Sequence, residues 1–266
     1  MTNNMNLIEI ITLGIVEGIT EFLPISSTFH LIWTSILLGV DQTDFIKLFL
    51  VVIQAGAILA VVLLYWKDFF TNRAMVRNII ATFIPTAIIG FILYGFIKGI
   101  FFESTDFTTT IFILIGILFL VVEYLVSQNK IKPEKQLSKL TTQDALLIGF
   151  IQAISVIPGV SRSGSVIIGM LFMKFKREEA AKYSFLVSVP TIFAASVFDL
   201  YEMQDALVAN TNAVPTLIFG SLIAFISAYI GVKWFIGYLQ KNSLALFGWY
   251  RIVVGIILLI ILGMHS

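Results

Sequence analysis

Gly14 to His30 reads GIVEGITEFLPISSTFH, and its distant partner, Gly149 to Val166, reads GFIQAISVIPGVSRSGSV. Both set charged or hydroxyl-bearing residues into sequence apolar enough for the middle of a bilayer, where ionisable groups are costly and mark function by default. Each is broken near its middle, by Pro24-Ile-Ser-Ser in the first and by Pro158-Gly-Val-Ser-Arg-Ser-Gly in the second. Proline ends a helix at or before the preceding residue, and glycine accepts the backbone angles of a tight reversal. The segments that hold them, Leu7 to Leu38 and Ala145 to Phe175, therefore read as two helical hairpins. Each enters the membrane, turns at depth and leaves by the same side, which requires the turn to be buried in protein or to face water.

Around the hairpins, apolar runs of about 20 residues predict six full crossings. These are Phe45 to Trp66, Ile79 to Ile97, Thr109 to Val126, Tyr183 to Leu200, Pro215 to Ile236 and Leu244 to Leu262. Of the 266 residues, 58% are hydrophobic and 12% charged, against about 25% charged in an ordinary soluble domain. The expected class is an all-α integral membrane protein, a single membrane domain over 1–266 with the bilayer as its surroundings. The first apolar run carries Glu9, Glu17 and Glu21, which a signal-peptide core does not tolerate, so this segment is expected to be retained. The absence of cysteine excludes disulfides, thiolate metal sites and thiol nucleophiles. A net charge of +1 gives no reason to expect a nucleic-acid partner, and oligomeric state, homo-oligomers included, stays open.

The two halves look like copies. Gly14-x-x-Glu17 with Pro24-x-x-Ser27 resembles Gly149-x-x-Gln152 with Pro158-x-x-Ser161. Phe49-Leu-Val before Tyr65 matches Phe185-Leu-Val before Tyr201, and Pro85-Thr-x-x-x-Gly90 matches Pro215-Thr-x-x-x-Gly220. Apolar helices repeat by chance, but three matches in the same order favour duplication. Each half is then one hairpin plus three crossings, roughly 1–128 and 142–266, joined by a basic loop at 129–141. An odd number of crossings inverts the second copy, so the hairpins enter from opposite faces and meet near the midplane. One set of connections gathers Lys67, Arg73, Arg77, Lys130, Lys132, Lys135, Lys139, Lys174, Lys176, Arg177, Lys182, Lys233 and Lys241. The other carries Asp41, Asp44, Glu103, Asp106, Glu202 and Asp205 beside Lys47 and Lys98. The basic side is expected to be cytoplasmic. The first hairpin then opens outward and the second enters from inside.

Glu17 and Glu21 share one helix face one turn apart. They are either solvated charges on a partly wet helix or a hard-oxygen site for magnesium or calcium, completed by water and substrate phosphate. The apolar surroundings favour the second reading. Ser26, Ser27 and His30 follow. Imidazole suits proton transfer or direct attack, and a hydroxyl within its reach becomes a usable nucleophile. A helix cap and a buried histidine would account for these residues singly; the carboxylates beside them point to chemistry. The second hairpin adds Gly159, Ser161, Arg162, Ser163, Gly164 and Ser165. Backbone N–H groups, a helix start and an arginine fork together suggest a phosphate cradle. Arg162 as a mere counter-ion to Glu17 or Glu21 would still bring the hairpin tips together. Gln54, Asp199 and Arg251, each alone in a crossing, bond either within the site or between helices.

Glu17-Gly-Ile-Thr-Glu21-Phe-Leu-Pro-Ile-Ser-Ser, Val52-Ile-Gln54-x-Gly56-Ala-Ile-Leu-Ala and Pro158-Gly-Val-Ser161-Arg162-Ser163-Gly164 resemble the signatures of the undecaprenyl-diphosphate phosphatase family, also called the bacitracin-resistance protein family. The resemblance runs over nearly the whole chain and includes Tyr250-Arg251. It implies hydrolysis of a C55 polyprenyl diphosphate to the monophosphate carrier of cell-wall synthesis, at the plasma membrane, with resistance to bacitracin as a consequence. It implies an acidic motif at Glu17 and Glu21, nucleophilic or proton-transferring positions at Ser27 and His30, and diphosphate binding at Arg162 with its flanking serines. Phe29 and Val166 stand where the family usually has glycine and threonine. A lipid transporter using the same headgroup site is the rival reading, because inverted repeats with broken helices also build transporters.

Overall fold

The computed structural model describes residues 5–41, 43–101 and 105–263. Twelve α-helices form among them: α1 (Leu7–Thr20), α2 (Ser27–Leu37), α3 (Asp44–Leu64), α4 (Trp66–Phe70), α5 (Arg73–Phe101), α6 (Thr105–Ser127), α7 (Thr142–Ala153), α8 (Arg162–Phe172), α9 (Arg177–Glu202), α10 (Gln204–Ala209), α11 (Ala213–Leu239) and α12 (Ala245–Gly263). Five of them, α3, α5, α6, α9 and α11, are long and apolar enough to cross a bilayer. The protein is a multi-pass membrane protein built from helices. Large apolar side chains on the outward faces, such as Phe91, Leu114, Ile218, Ile230 and Ile260, suit contact with lipid rather than water.

The pairs α1–α2 and α7–α8 are the two expected hairpins, each short-armed and broken where the prolines stand. Both begin with a capping box, Asn6 with Glu9 and Thr141 with Asp144, so the first-turn N–H groups are satisfied locally. Both turns restart a helix from a serine in a left-handed conformation, Ser26 at φ 65° and Ser161 at φ 79°. That conformation is costly for any residue with a Cβ, by about 1–3 kcal/mol.

The helices pack in pairs that are distant in sequence. Helix α1 lies against α11, α7 lies against α5, α3 packs on α9, and α6 packs on α12. Small residues let the backbones approach. A Cβ on Gly14 would come within 3.0 Å of the Gly220 carbonyl oxygen, and one on Gly149 within 2.4 Å of the Thr82 carbonyl oxygen.

The basic connections gather at one end. Lys135 and Phe175 form a parallel bridge, and the Lys135 backbone N–H donates to the Lys174 carbonyl at 2.8 Å. Lys135 pairs with Asp144 at 2.8 Å and Lys182 with Asp68 at 3.0 Å. Arg177 forks onto Glu123, which also accepts from the Leu244 N–H, tying α6, α9 and the start of α12 together. Of the acidic residues expected at the other end, Glu103 lies outside the described residues.

Candidate active site

The turn after α1 and the turn before α8 meet. Arg162 stands at the first position of α8 and Glu21 at the end of α1, both nearly enclosed and both lining the same cavity. Arg162 Nη2 donates to Glu21 Oε1 at 2.8 Å, and the two side chains are 12% and 7% exposed. Arg162 Nη1 donates to the Ser184 carbonyl at 2.9 Å. The Ser27 hydroxyl donates to the other oxygen of Glu21. Glu21 thus takes a cation on one oxygen and a hydroxyl on the other. The Ser163 hydroxyl reaches across to the Leu23 carbonyl at 2.9 Å, a second direct tie between the turns.

Above this chain of contacts lies a cavity of about 510 Å³, the size of a small-molecule site. Glu21, Ser26, Ser27, Thr28, Gln54, Gly159, Ser161 and Arg162 contribute to its polar floor and walls. Helices α5 and α9 supply the rest, including Phe83, Thr86, Phe91, Thr191, Phe198 and Asp199. The N-termini of α2 and α8 both open on it. Ser161 caps α8 by accepting from the Gly164 N–H at 3.2 Å, whereas Ser26 makes no side-chain cap on α2.

Several expected members stand elsewhere. Glu17 is completely buried one turn back along α1, does not line the cavity, and neither carboxylate oxygen has a hydrogen-bond partner. The expected pairing of His30 with the Ser27 hydroxyl does not form. Instead His30 Nδ1 contacts the Ser26 carbonyl at 2.8 Å and Nε2 the Tyr250 hydroxyl at 2.7 Å. The ring turns away from Ser27 because Phe29, Phe112 and Tyr250 enclose it, with Tyr250 stacked at 5.7 Å. Ser163 and Gly164 are buried beneath the turn, and the Gly164 amide is already used by Ser161. Gln54 lines the cavity and donates weakly to the Leu50 carbonyl, at 3.4 Å. Phe29 stacks on Phe112 at 3.8 Å, so its ring packs an aromatic cluster, and Val166 sits wholly in the apolar core.

Arg251, left open by the sequence, is completely buried and donates to carbonyls of both turns, those of Pro24 and Gly159 among them. Gly159 holds φ 90°, and a Cβ there would come within 2.5 Å of the Thr108 carbonyl. Tyr250 was visible only through the resemblance. Thr86 and Thr191, which line the cavity and accept hydrogen bonds from the Gln152 amide at 2.9 and 3.3 Å, carried no local signal beyond their place beside prolines.

The family model described as "Bacitracin resistance protein BacA" matches residues 10–257. The chain belongs to that family. A protein from Aquifex aeolicus named undecaprenyl-diphosphatase is 45% identical over 249 residues, covering 94% of this chain and 96% of the relative. Proteins of the same name from Flavobacterium johnsoniae and Wolinella succinogenes are each 43% identical, covering 97% and 98% of this chain and 96% and 100% of theirs. The BacA family match thus takes in both turns, the whole second hairpin and all but the first residues of the first.

A hard divalent cation would find its free oxygen donors at Glu17, beside the cavity, because both Glu21 oxygens already hold Arg162 and Ser27. Glu17 offers two buried, unpartnered carboxylate oxygens, and a buried anion without a partner calls for a cation or a proton. Among the described residues no cluster of three acidic or histidine ligands forms, so water and substrate oxygens would complete the shell.

Proposed function

We infer that this protein is an undecaprenyl-diphosphatase, which hydrolyses the diphosphate of the C55 carrier lipid to the monophosphate and inorganic phosphate. The observation that carries the reading is the Ser27–Glu21–Arg162 chain at the cavity floor, in a chain whose close relatives carry that name. The transporter alternative finds no support among those relatives. Recycling of the carrier serves cell-wall synthesis and accounts for bacitracin resistance.

In the mechanism we propose, the diphosphate enters between the N-termini of α2 and α8, whose partial positive charge suits an anion. Arg162 spends one N–H on Glu21 and one on Ser184 and turns its remaining donors to the phosphate oxygens. Ser27 attacks the terminal phosphorus, its proton passes to Glu21, and the P–O bond to the lipid monophosphate breaks, with Glu21 handing that proton to the departing monophosphate. Water then attacks the phosphoserine, Glu21 takes the proton of that water and returns it to the Ser27 oxygen as its bond to phosphorus breaks and phosphate leaves. Positioning and charge stabilisation carry most phosphoryl-transfer catalysis. Glu17, with Glu21, would hold magnesium or calcium. A bound cation supplies charge neutralisation at the phosphates. The polyprenyl tail stays in the bilayer, leaving the cavity between α5 and α9, where Phe91 and Phe198 line the wall.

The halves are proposed as an inverted repeat. Its support is the paired capping boxes, the paired left-handed serines, and the match of α1 on α11 with α7 on α5. The basic connections cluster at one end, which is assigned to the cytoplasm, so the cavity opens to the outer face. Purified protein should release phosphate from undecaprenyl diphosphate; the absence of any release from the wild type in detergent or proteoliposomes would overturn the reading.

A further inference from the structure

Tyr250 and Arg251 are consecutive on α12, none of whose described residues lines the cavity, yet Arg251 reaches both turns that build the site and Tyr250 reaches His30 just beyond the first. Arg251 donates through Nε to the Phe112 carbonyl at 3.0 Å, through Nη1 to the Pro24 carbonyl at 3.0 Å, and through Nη2 to the carbonyls of Gly159 and, at 3.4 Å, Val160. Its guanidinium also lies 4.4 Å from the centre of the Phe112 ring. The Pro24 carbonyl belongs to the first turn, those of Gly159 and Val160 to the second. Both turns interrupt helices, so their carbonyls lack intrahelical partners. One rigid fork satisfies them together, which a flexible ammonium cannot do with the same geometry.

Tyr250 acts one contact further out. The Ser26 carbonyl can only accept, so the neutral His30 ring carries its hydrogen on Nδ1. Nε2 is then the acceptor, and the Tyr250 hydroxyl donates to it at 2.7 Å. The His30 backbone N–H donates to the same Ser26 carbonyl at 3.3 Å. Two donors thus converge on the carbonyl of a left-handed serine whose next residue is Ser27. Fixing that peptide fixes where the Ser27 hydroxyl points.

We propose that Tyr250 and Arg251 are positioning residues for phosphoryl transfer: Arg251 sets the separation of the nucleophile turn from the phosphate-binding turn, and Tyr250 fixes the orientation of Ser27 through His30 and Ser26. The proposal rests on the phosphatase reading. It assigns His30 to holding the turn rather than to receiving the Ser27 proton.

The test is steady-state kinetics on undecaprenyl diphosphate with purified variants. Tyr250→Phe keeps the ring and its stacking while removing one hydrogen bond, so kcat should fall about tenfold with KM unchanged. In a His30→Gln background the same change should cost less than about twofold, because residues acting through one another are not additive. Arg251→Lys should lower kcat and raise KM together, because it loosens both turns. Unchanged kcat in Tyr250→Phe, or losses that multiply in the double variant, would overturn the Tyr250 role. Arg251→Lys with both constants at wild-type values would overturn the clamp, and if that variant does not accumulate, the Tyr250 and His30 cycle still decides the relay to Ser27. A wild-type protein that releases no phosphate would instead count against the phosphatase reading itself.

Discussion

Replacing Glu21 by glutamine separates its two tasks. The side chain accepts the Ser27 hydroxyl on one oxygen and Arg162 on the other at 2.8 Å. Glutamine keeps the volume and one acceptor but cannot take a proton. Loss of a general base costs about 10²–10⁴ in rate, so Glu21→Gln is expected to lower kcat at least about 100-fold. The stability cost is smaller. A hydrogen bond to a charged group is worth about 1.5–3 kcal/mol against about 0.5–1.5 for a neutral one. With both partners nearly enclosed, at 12% and 7% exposure, the difference of about 1–2 kcal/mol should be felt almost in full. In a chain of this size that corresponds to a fall of several degrees in Tm, about 2–4 °C per kcal/mol. Phosphate release in detergent micelles, read beside a thermal melt of the same preparation, measures both. A kcat within tenfold of wild type would refute the assignment of Glu21 as proton acceptor, whatever the melt shows. A large rate loss with a collapsed melt would show Glu21 to be structural in the first place.

Three further outcomes follow from particular contacts. Glu17→Gln should greatly reduce hydrolysis, and added magnesium or calcium should rescue weak-binding variants better than dead ones; full activity in excess chelator would remove the cation from the mechanism. Gly159→Ala combines an unfavourable φ of 90° with a Cβ 2.5 Å from the Thr108 carbonyl, so it should cost about 1–3 kcal/mol of stability, and an unshifted melting midpoint would show that the turn has room to relax. In sealed, oriented vesicles an impermeant thiol reagent should reach a cysteine at Thr43 only from outside and one at Gln136 only from inside; labelling of both from one face would reject the inverted repeat.

What could be read from the chain was what has no low-energy alternative in a bilayer. Proline followed by serines, or by glycine and serines, in an apolar run marked the two turns, and Arg162 needed one of the two carboxylates, Glu17 or Glu21. The register of the two halves was less visible. Aligning the prolines pairs Ser27 with Ser161, whereas the left-handed residue that restarts each helix pairs Ser26 with Ser161. Proline stops the first arm, but the restart is set by which peptide flips, and no side chain announces that. His30 was expected on Ser27 from their closeness in sequence, their chemistry and the family resemblance. Its partner Tyr250 lies 220 residues away, and an aromatic pocket turned the ring. Arg251 could not be assigned because its partners are carbonyls exposed by the turns, and backbone groups have no letter in a sequence.

The two turns solve one problem with two endings. On the inverted-repeat reading, each starts a helix from a left-handed serine, aiming a positive helix end into the cavity, and the next residue decides the chemistry. After Ser26 comes Ser27, a nucleophile; after Ser161 comes Arg162, an anion holder. Two arginines would have left the site without a nucleophilic hydroxyl, and two serines would have left a diphosphate without a fixed cation. The arms diverge in the same sense. Glu17 has Gln152 as its counterpart, and that amide bonds to Thr86 and Thr191, so the negative charge stays in one half and the fixed cation in the other. Glu21 is the point at which the difference is used, because it holds Arg162 and Ser27 at once. A symmetric dimer of identical hairpins places like groups opposite each other at the axis; a fused duplication frees each copy to change alone. The unequal pair Ser27 and Arg162 is therefore what a single chain, rather than two identical ones, makes possible.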